Sequence, residues 1–208
     1  VPLCGATPVF ADVERDSQNL SAETIRPRIT PRTRAILVVH LAGWPCDMAP
    51  ILELAAEQGL RVIEDCAQAH GARIDGRPVG SFGDLAAFSF CQDKIISTGG
   101  EGGMLLTSSE RLWQKAWAFK DHGRRYPSPE QRGLAPGSFR WVHDSFGSNL
   151  RMTEMQAAIG RVQLRKLEEW VQRRRDNAAT LVRRLADIPA LSIPQPPSGV
   201  DHAYYKFY

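Results

Sequence analysis

Along the first two thirds of the chain, short apolar runs alternate with stretches whose apolar residues recur at helical spacing. Ala35–Val39 is continuously apolar, the pattern of a parallel strand buried on both faces. Beyond it, Asp47 is placed to N-cap a helix carrying Met48, Ile51, Leu52, Leu54 and Ala55, and Gly59 stands where a C′ glycine ends one. Val62 and Ile63 resume a strand that stops at Glu64 and Asp65. This is a βαβ unit, and its crossover is expected to be right-handed. Thr7–Val13 is a β-branched, strand-like run ahead of it. Gly71–Gly83, with its glycines and Pro78, reads as a loop or small hairpin. Leu85–Phe90 and Gly103–Thr107 read as further strands. Arg111–His122 is a helix by the spacing of Leu112, Trp113, Ala116 and Phe119, and Tyr126–Gly137 a surface loop.

From Thr153 the pattern changes. Met155, Ile159, Val162, Leu167, Trp170, Val171, Leu181 and Leu185 form one face of a helix or bent helix that lasts to Asp187, where Pro189 and Pro194 stop it. Thr153 with Gln156 three residues on makes a capping box. The expected architecture is an α/β layer with a mostly parallel sheet and flanking helices, truncated at both ends. Its parts would be a large domain over 1–150, a connecting helix over 151–188, and the start of a small domain over 189–208.

Composition narrows the function classes. No apolar run approaches the roughly 18–20 residues of a membrane span, and no basic-then-apolar leader is present, although the start at Val1 reads as that of a fragment. The formal net charge is +3, too small an excess to argue for nucleic acid. Cys4, Cys46, Cys66 and Cys91 are widely spaced, without metal-ligand spacing. They read as reduced thiols of a cytoplasmic protein, and no metal site is expected.

Three segments carry candidate chemistry. Ligands of open α/β sheets gather beyond the carboxyl ends of strands, and Asp65 lies at such an end, within Glu64–Gly71. Lys94 stands between the strand Phe88-Ser89-Phe90 and the glycine-rich stretch Gly99–Gly103, where backbone can approach a ligand closely. No Walker loop or dinucleotide fingerprint accompanies those glycines. Asn149 and Arg151 precede the capping box, in a loop free to reach a ligand or a neighbouring subunit.

Phe88-Ser89-Phe90 with Lys94, the box Glu64-Asp65 with Ala67-Gln68-Ala69-His70-Gly71, and the box Asn149 with Arg151-Met152-Thr153-Glu154 together resemble the DegT/DnrJ/StrS sugar aminotransferases. Gly5–Val13 and Thr30–Leu41 are similar to that family as well. The resemblance implies a pyridoxal phosphate (PLP) enzyme of fold type I, the aspartate-aminotransferase fold. It implies that Lys94 binds the cofactor's aldehyde and moves the proton, with a depressed pKa. Asp65 would pair with the pyridine nitrogen, Gln68 with the ring's 3′-oxygen, and Ser89 with the phosphate. Asn149 would reach the phosphate of a partner's cofactor in a homodimer. The activity implied is transfer of an amino group from an amino acid, glutamate in most of the family, to a nucleotide-linked keto-sugar. Lys94 favours that branch over the sugar dehydratases, which carry histidine there. The residues Cys91-Gln92-Asp93 depart from commoner family spellings and bear on substrate choice. Two other readings stay open: a decarboxylase or lyase on the same fold, and a cofactor-free remnant serving as a regulatory or dimerisation module.

Overall fold

The computed structural model describes residues 1–126 and 143–208. Most of the loop expected over Tyr126–Gly137 lies outside the described residues. The main sheet contains β1 (Ala35–Val39), β2 (Arg61–Asp65), β5 (Leu85–Ser89) and β6 (Gly103–Leu106), in the order β1-β2-β5-β6. The first three run parallel, and β6 pairs antiparallel with β5. A small sheet orders β4 (Arg77–Pro78), β3 (Arg73–Ile74) and β7 (Val200–Asp201), all antiparallel. The hairpin read from Gly71–Gly83 is therefore present, and it takes its third strand from the end of the chain. Thr7–Val13 forms no strand and runs as irregular backbone.

Helices α1 (Ala22–Ile25) and α2 (Met48–Glu57) cover one face of β1 and β2. Ile36, Val38 and Val62 pack there with Ile25, Met48, Ile51 and Leu54 as one buried cluster. Gly59 follows α2 with φ +63°, as a C′ glycine should. Asp47 is the N-cap residue, but its side chain makes no capping bond. β1 departs from the both-faces-buried expectation. Ile36 and Val38 are buried, whereas Leu37 is 40% exposed, because no described element covers the second face at that strand.

α3 (Glu110–Lys120) follows β6, capped by Ser109. The long apolar stripe after Thr153 resolves into two helices, α4 (Glu154–Leu164) and α5 (Leu167–Leu185). The Thr153–Gln156 capping box starts α4 as read. α5 lies against the hairpin at Gly71, where a Cβ would sit 2.8 Å from Val171 Cγ2. Val171 joins Cys66, Ala69, Ala72, Ala86, Ile95, Ala203 and Tyr205 in a second buried cluster. That cluster ties β2, β5, α5 and the last residues of the chain together beneath the strand ends.

Glu64, one residue before the end of β2, has no solvent exposure, and neither has His40. Its carboxylate accepts from the backbone N–H groups of Gly80 (2.7 Å), Phe82 (2.8 Å) and Gly83 (2.6 Å). His40 Nε2 lies 3.1 Å from Glu64 Oε2. Because His40 Nδ1 accepts from the N–H of Cys46 at 3.0 Å, Nε2 carries the hydrogen donated to Glu64. His40, Glu64 and Cys66 lie close enough to one another to suggest metal ligands. Glu64's oxygens are already committed to protein donors, so the cluster is a structural network.

Burial pushes the Glu64 carboxyl up, but the bonds from His40, Gly83 and Gly80 outweigh it and hold its pKa below the ordinary value. A pKa lower in the folded than in the unfolded chain gives stability that is complete above the unfolded value, about 4.3. That stability is lost as pH falls through the folded value. Urea unfolding followed over a pH series is expected to show this loss in the parent and little of it in Glu64→Gln. Glu64→Ala is expected to cost about 3–5 kcal/mol near neutrality, since three backbone donors and His40 lose their acceptor.

Candidate functional site

Four of the candidate residues, Asp65, Gln68, Ser89 and Lys94, lie at or just beyond the carboxyl ends of β2 and β5. Side chains alternate along a strand, so Glu64 and Asp65 point to opposite faces of β2. Glu64 is spent on structure, and Asp65 is left half-buried at the strand end. The register pairs Asp65 with Ala87, and the N–H of Cys66 donates to Ala87 O at 2.8 Å. Ser89 is two residues further along β5, at its end. Asp65 and Ser89 thus occupy neighbouring strand ends. Asp65 Oδ1 accepts from the N–H of Ala67 at 2.9 Å, which fixes the carboxylate by one oxygen.

Gln68 follows in the loop after β2. Its Oε1 accepts from the N–H of Ala42 at 2.7 Å, so its amide NH₂ is directed away as a donor. Ala42 itself has φ +57°, a left-handed backbone that a non-glycine residue adopts at a cost of about 1–3 kcal/mol. Around it, Gly43 O accepts from the N–H of Ala203 (2.9 Å) and Ala42 O from that of Lys206 (3.2 Å). One short turn therefore orients Gln68 and anchors the final segment of the chain.

Lys94 sits in the loop from β5 to β6. Thr98 N–H donates to Phe90 O (3.1 Å), Phe90 N–H to Gly102 O (2.8 Å) and Lys94 N–H to Cys91 O (3.1 Å), while Ile95 and Ile96 are buried beneath. At Gly102 a Cβ would collide with Thr98 Oγ1, so the loop requires glycine there. The Lys94 side chain is only 13% exposed. Its Nζ is 3.5 Å from the Tyr205 hydroxyl, 3.8 Å from Asp93 Oδ1 and 4.8 Å from the centre of the Tyr205 ring. Below it, the buried His70 ring packs against Phe88 and Phe90. Burial lowers its pKa to about 4, with the Ser89 backbone opposing and the charge of Lys94 adding to the fall.

The expected depression of the Lys94 pKa is not found. Burial does press it down, but the hydrogen bond to Tyr205 and the charges of Tyr205 and Asp93 outweigh that, and the net shift is upward. Asp93 is held down to about 2 by the bonds from Cys91 and Tyr205, with Lys94 adding to them. Asn149 stands apart from this group. It bridges Asp121 through the backbone, its Oδ1 accepts from Arg151 Nε at 2.9 Å, and it is exposed. Arg151 is in turn 3.5 Å from the buried carboxylate of Asp121, which also pairs with Arg124.

Tyr205 was not singled out in the sequence. It lies 111 residues from its lysine, and nothing local in its surroundings marks it. Asp93 stands out in the sequence only as part of a departure from commoner family spellings. The His40–Glu64 pair was missed too, although adjacent acidic residues at the end of an alternating strand do signal one inward and one outward carboxylate.

An amine, a carboxylate with one oxygen open, a hydroxyl and an amide donor, at or just beyond two neighbouring strand ends, match the aldehyde, ring nitrogen, phosphate and ring oxygen of PLP in chemical kind. The comparisons with known proteins agree. Residues 1–208 match the DegT/DnrJ/EryC1/StrS aminotransferase family, a family of PLP-dependent enzymes. The chain belongs to this family. It is 40% identical over 203 residues to the UDP-N-acetyl-3-dehydro-alpha-D-glucosamine 3-aminotransferase of Acidithiobacillus ferrooxidans, covering 98% of this chain and 51% of that protein. It is 39% identical over 205 residues to the GDP-perosamine synthase of Escherichia coli O157:H7, covering 99% and 52%. Among solved structures, the aminotransferase from Psychrobacter cryohalolentis superimposes with a TM-score of 0.91 at 51% identity, covering 96% of this chain and 52% of that one. The chain spans about half the length of the relatives it matches. Among the described residues, no helix is long and apolar enough to cross a membrane.

The four cysteines are free thiols, two of them buried. Burial pushes the Cys46 thiol up to about 12, and the Cys66 thiol higher still. Iodoacetamide on the native protein, with peptide mapping, is expected to label the exposed Cys4 and to leave Cys46 and Cys66 unmodified until urea is added.

Proposed function

We propose that the protein carrying this chain transfers an amino group from an amino acid, glutamate being the expected donor, to a nucleotide-linked keto-sugar. The observation that carries this reading is that Asp65 and Ser89 end neighbouring strands of the parallel sheet, with Gln68 and Lys94 in the loops that leave them, in a member of this family. The names of its relatives, which act on UDP-, GDP- and dTDP-linked sugars, support the substrate class.

PLP, when bound, supplies an aldehyde to take up the amine and a ring that draws electrons from the bond being broken. Lys94 would hold that aldehyde. Once released, its Nζ would take the proton from the donor's α-carbon and deliver it at the carbon that bears the transferred nitrogen. The open oxygen of Asp65 would keep the ring nitrogen protonated. Ser89 would bind the phosphate, and the Gln68 amide would orient the ring through its oxygen. Asn149, on an exposed bridge away from Lys94, suits a role across the interface of a homodimer. Residues 1–150 would serve as the cofactor-binding part, 151–188 as the connecting helices and 189–208 as the entry to a second domain, in a cytoplasmic enzyme.

The test is borohydride reduction of the full-length protein after addition of PLP, with the modified lysine mapped by mass spectrometry. The chain offers Lys94, Lys115, Lys120, Lys166 and Lys206. The adduct is expected on Lys94 alone, and its absence or its appearance on another lysine overturns the reading. Asp65→Ala is expected to lower turnover on the order of a hundredfold or more while the protein still folds, since the charge it supplies acts on the reacting ring.

A further inference from the structure

Asp93 and the distant Tyr205 both reach Lys94, and Cys91 in turn holds Asp93. The Tyr205 hydroxyl donates to Asp93 Oδ2 at 2.5 Å, and its oxygen lies 3.5 Å from Lys94 Nζ as an acceptor. The second carboxylate oxygen of Asp93 accepts from the thiol of Cys91 at 2.8 Å and lies 3.8 Å from the same Nζ. The aromatic face of Tyr205 lies 4.8 Å from that nitrogen, within range of a cation–π attraction. A phenol that donates to a carboxylate becomes a better acceptor for an ammonium.

Tyr205 is itself held firmly. Arg174 Nη1 donates to the carbonyls of Tyr204 (3.2 Å) and Tyr205 (3.4 Å), and Arg175 to those of His202 (3.0 Å) and Gly71 (3.3 Å). The left-handed backbone at Tyr204, φ +47°, turns the chain so that residues 204 and 205 face opposite ways. Tyr204 stacks on His202 at 4.0 Å while Tyr205 is buried against the lysine.

We propose that Asp93 and Tyr205 are positioning residues that clamp the Lys94 amine as an ammonium at the mouth of the site whenever neither an aldehyde nor a substrate carbon engages its nitrogen. The inference rests on the reading of Lys94 as the cofactor-binding lysine. In a transamination that lysine is set free while the transferred nitrogen resides on the cofactor, and it must keep both its place and its proton through the exchange of substrates. The other charged or titratable groups near the pair are His70, Cys91, Lys206 and Arg174. His70 is neutral by burial. Lys206 Nζ lies 5.6 Å from the Tyr205 ring and Arg174 reaches only backbone carbonyls. Asp93 is thus the anion that answers Lys94, and the net upward shift of the lysine agrees with the geometry.

The test is competitive labelling of the cofactor-free full-length protein with acetic anhydride over a pH series, quantified on the peptide that contains Lys94. Asp93→Asn and Tyr205→Phe are each expected to speed Lys94 labelling about three- to tenfold at mildly alkaline pH, by removing the charge or the acceptor that stabilises the ammonium. Lys115 and Lys120 are expected to label as in the parent, and Asp93→Glu to restore the slow rate. The Asp93 side chain is 57% exposed, so its replacement leaves the core intact even where loss of Tyr205 disturbs folding. Unchanged Lys94 labelling in Asp93→Asn overturns the proposal. Borohydride trapping of PLP on the same preparations reports separately on the cofactor reading. Trapping at Lys94 with unshifted labelling refutes the clamp alone, and failure of trapping in the parent refutes the reading it rests on.

Discussion

A carboxylate shut off from water survives in a fold only when its lone pairs are met, and Glu64 meets this condition through four donors drawn from two different segments. Three are backbone N–H groups of the turn ahead of β5, and the fourth is His40 at the end of β1. The network therefore fixes the ends of three adjacent strands relative to one another. It also fixes the rotation of β2. With Glu64 committed to the interior, strand alternation turns Asp65 to the opposite face, at the strand end beside the end of β5 that carries Ser89. The position of the candidate ring-binding carboxylate is thus a consequence of the burial of its neighbour.

The site divides into parts made locally and parts delivered from far along the chain. Asp65, Gln68, Ser89 and Lys94 all come from two strands that neighbour each other in the sheet, β2 and β5, and the loops that leave them. Tyr205 depends on α5, whose Arg174 and Arg175 grip the carbonyls of the last segment, and on the turn at Ala42 and Gly43, which holds Ala203 and Lys206. Gln68 is oriented by that same turn. A small number of backbone bonds thereby couples the Gln68 amide to the aromatic wall beside the lysine.

Much of this was legible in residue order. The apolar runs of β1, β2 and β5, the glycine ending α2 and the Thr153 capping box each rest on interactions within a few residues, which is why pattern alone reveals them. Thr7–Val13 read as a strand because its side chains suit one, yet a strand needs a hydrogen-bonding neighbour, and no described strand pairs with it. The break between α4 and α5 at Arg165 and Lys166 was hidden for a similar reason, since both residues are good helix formers. The Lys94 shift runs opposite to the depression that the family resemblance implies, because the opposing hydroxyl arrives from more than a hundred positions away. Pattern reading weighs neighbours in sequence, and electrostatics weighs neighbours in space.

The late arrival of Tyr205 has a bearing on biosynthesis. While a growing polypeptide has emerged only as far as α5, the sheet and its strand-end groups can already assemble, but the amine at position 94 still faces water on the side that the aromatic ring will close. Sealing that side requires the strap from 200 to 206 to pair with the hairpin and slide under the two arginines. The nitrogen of Lys94 therefore acquires these surroundings only after the strands that carry it have formed.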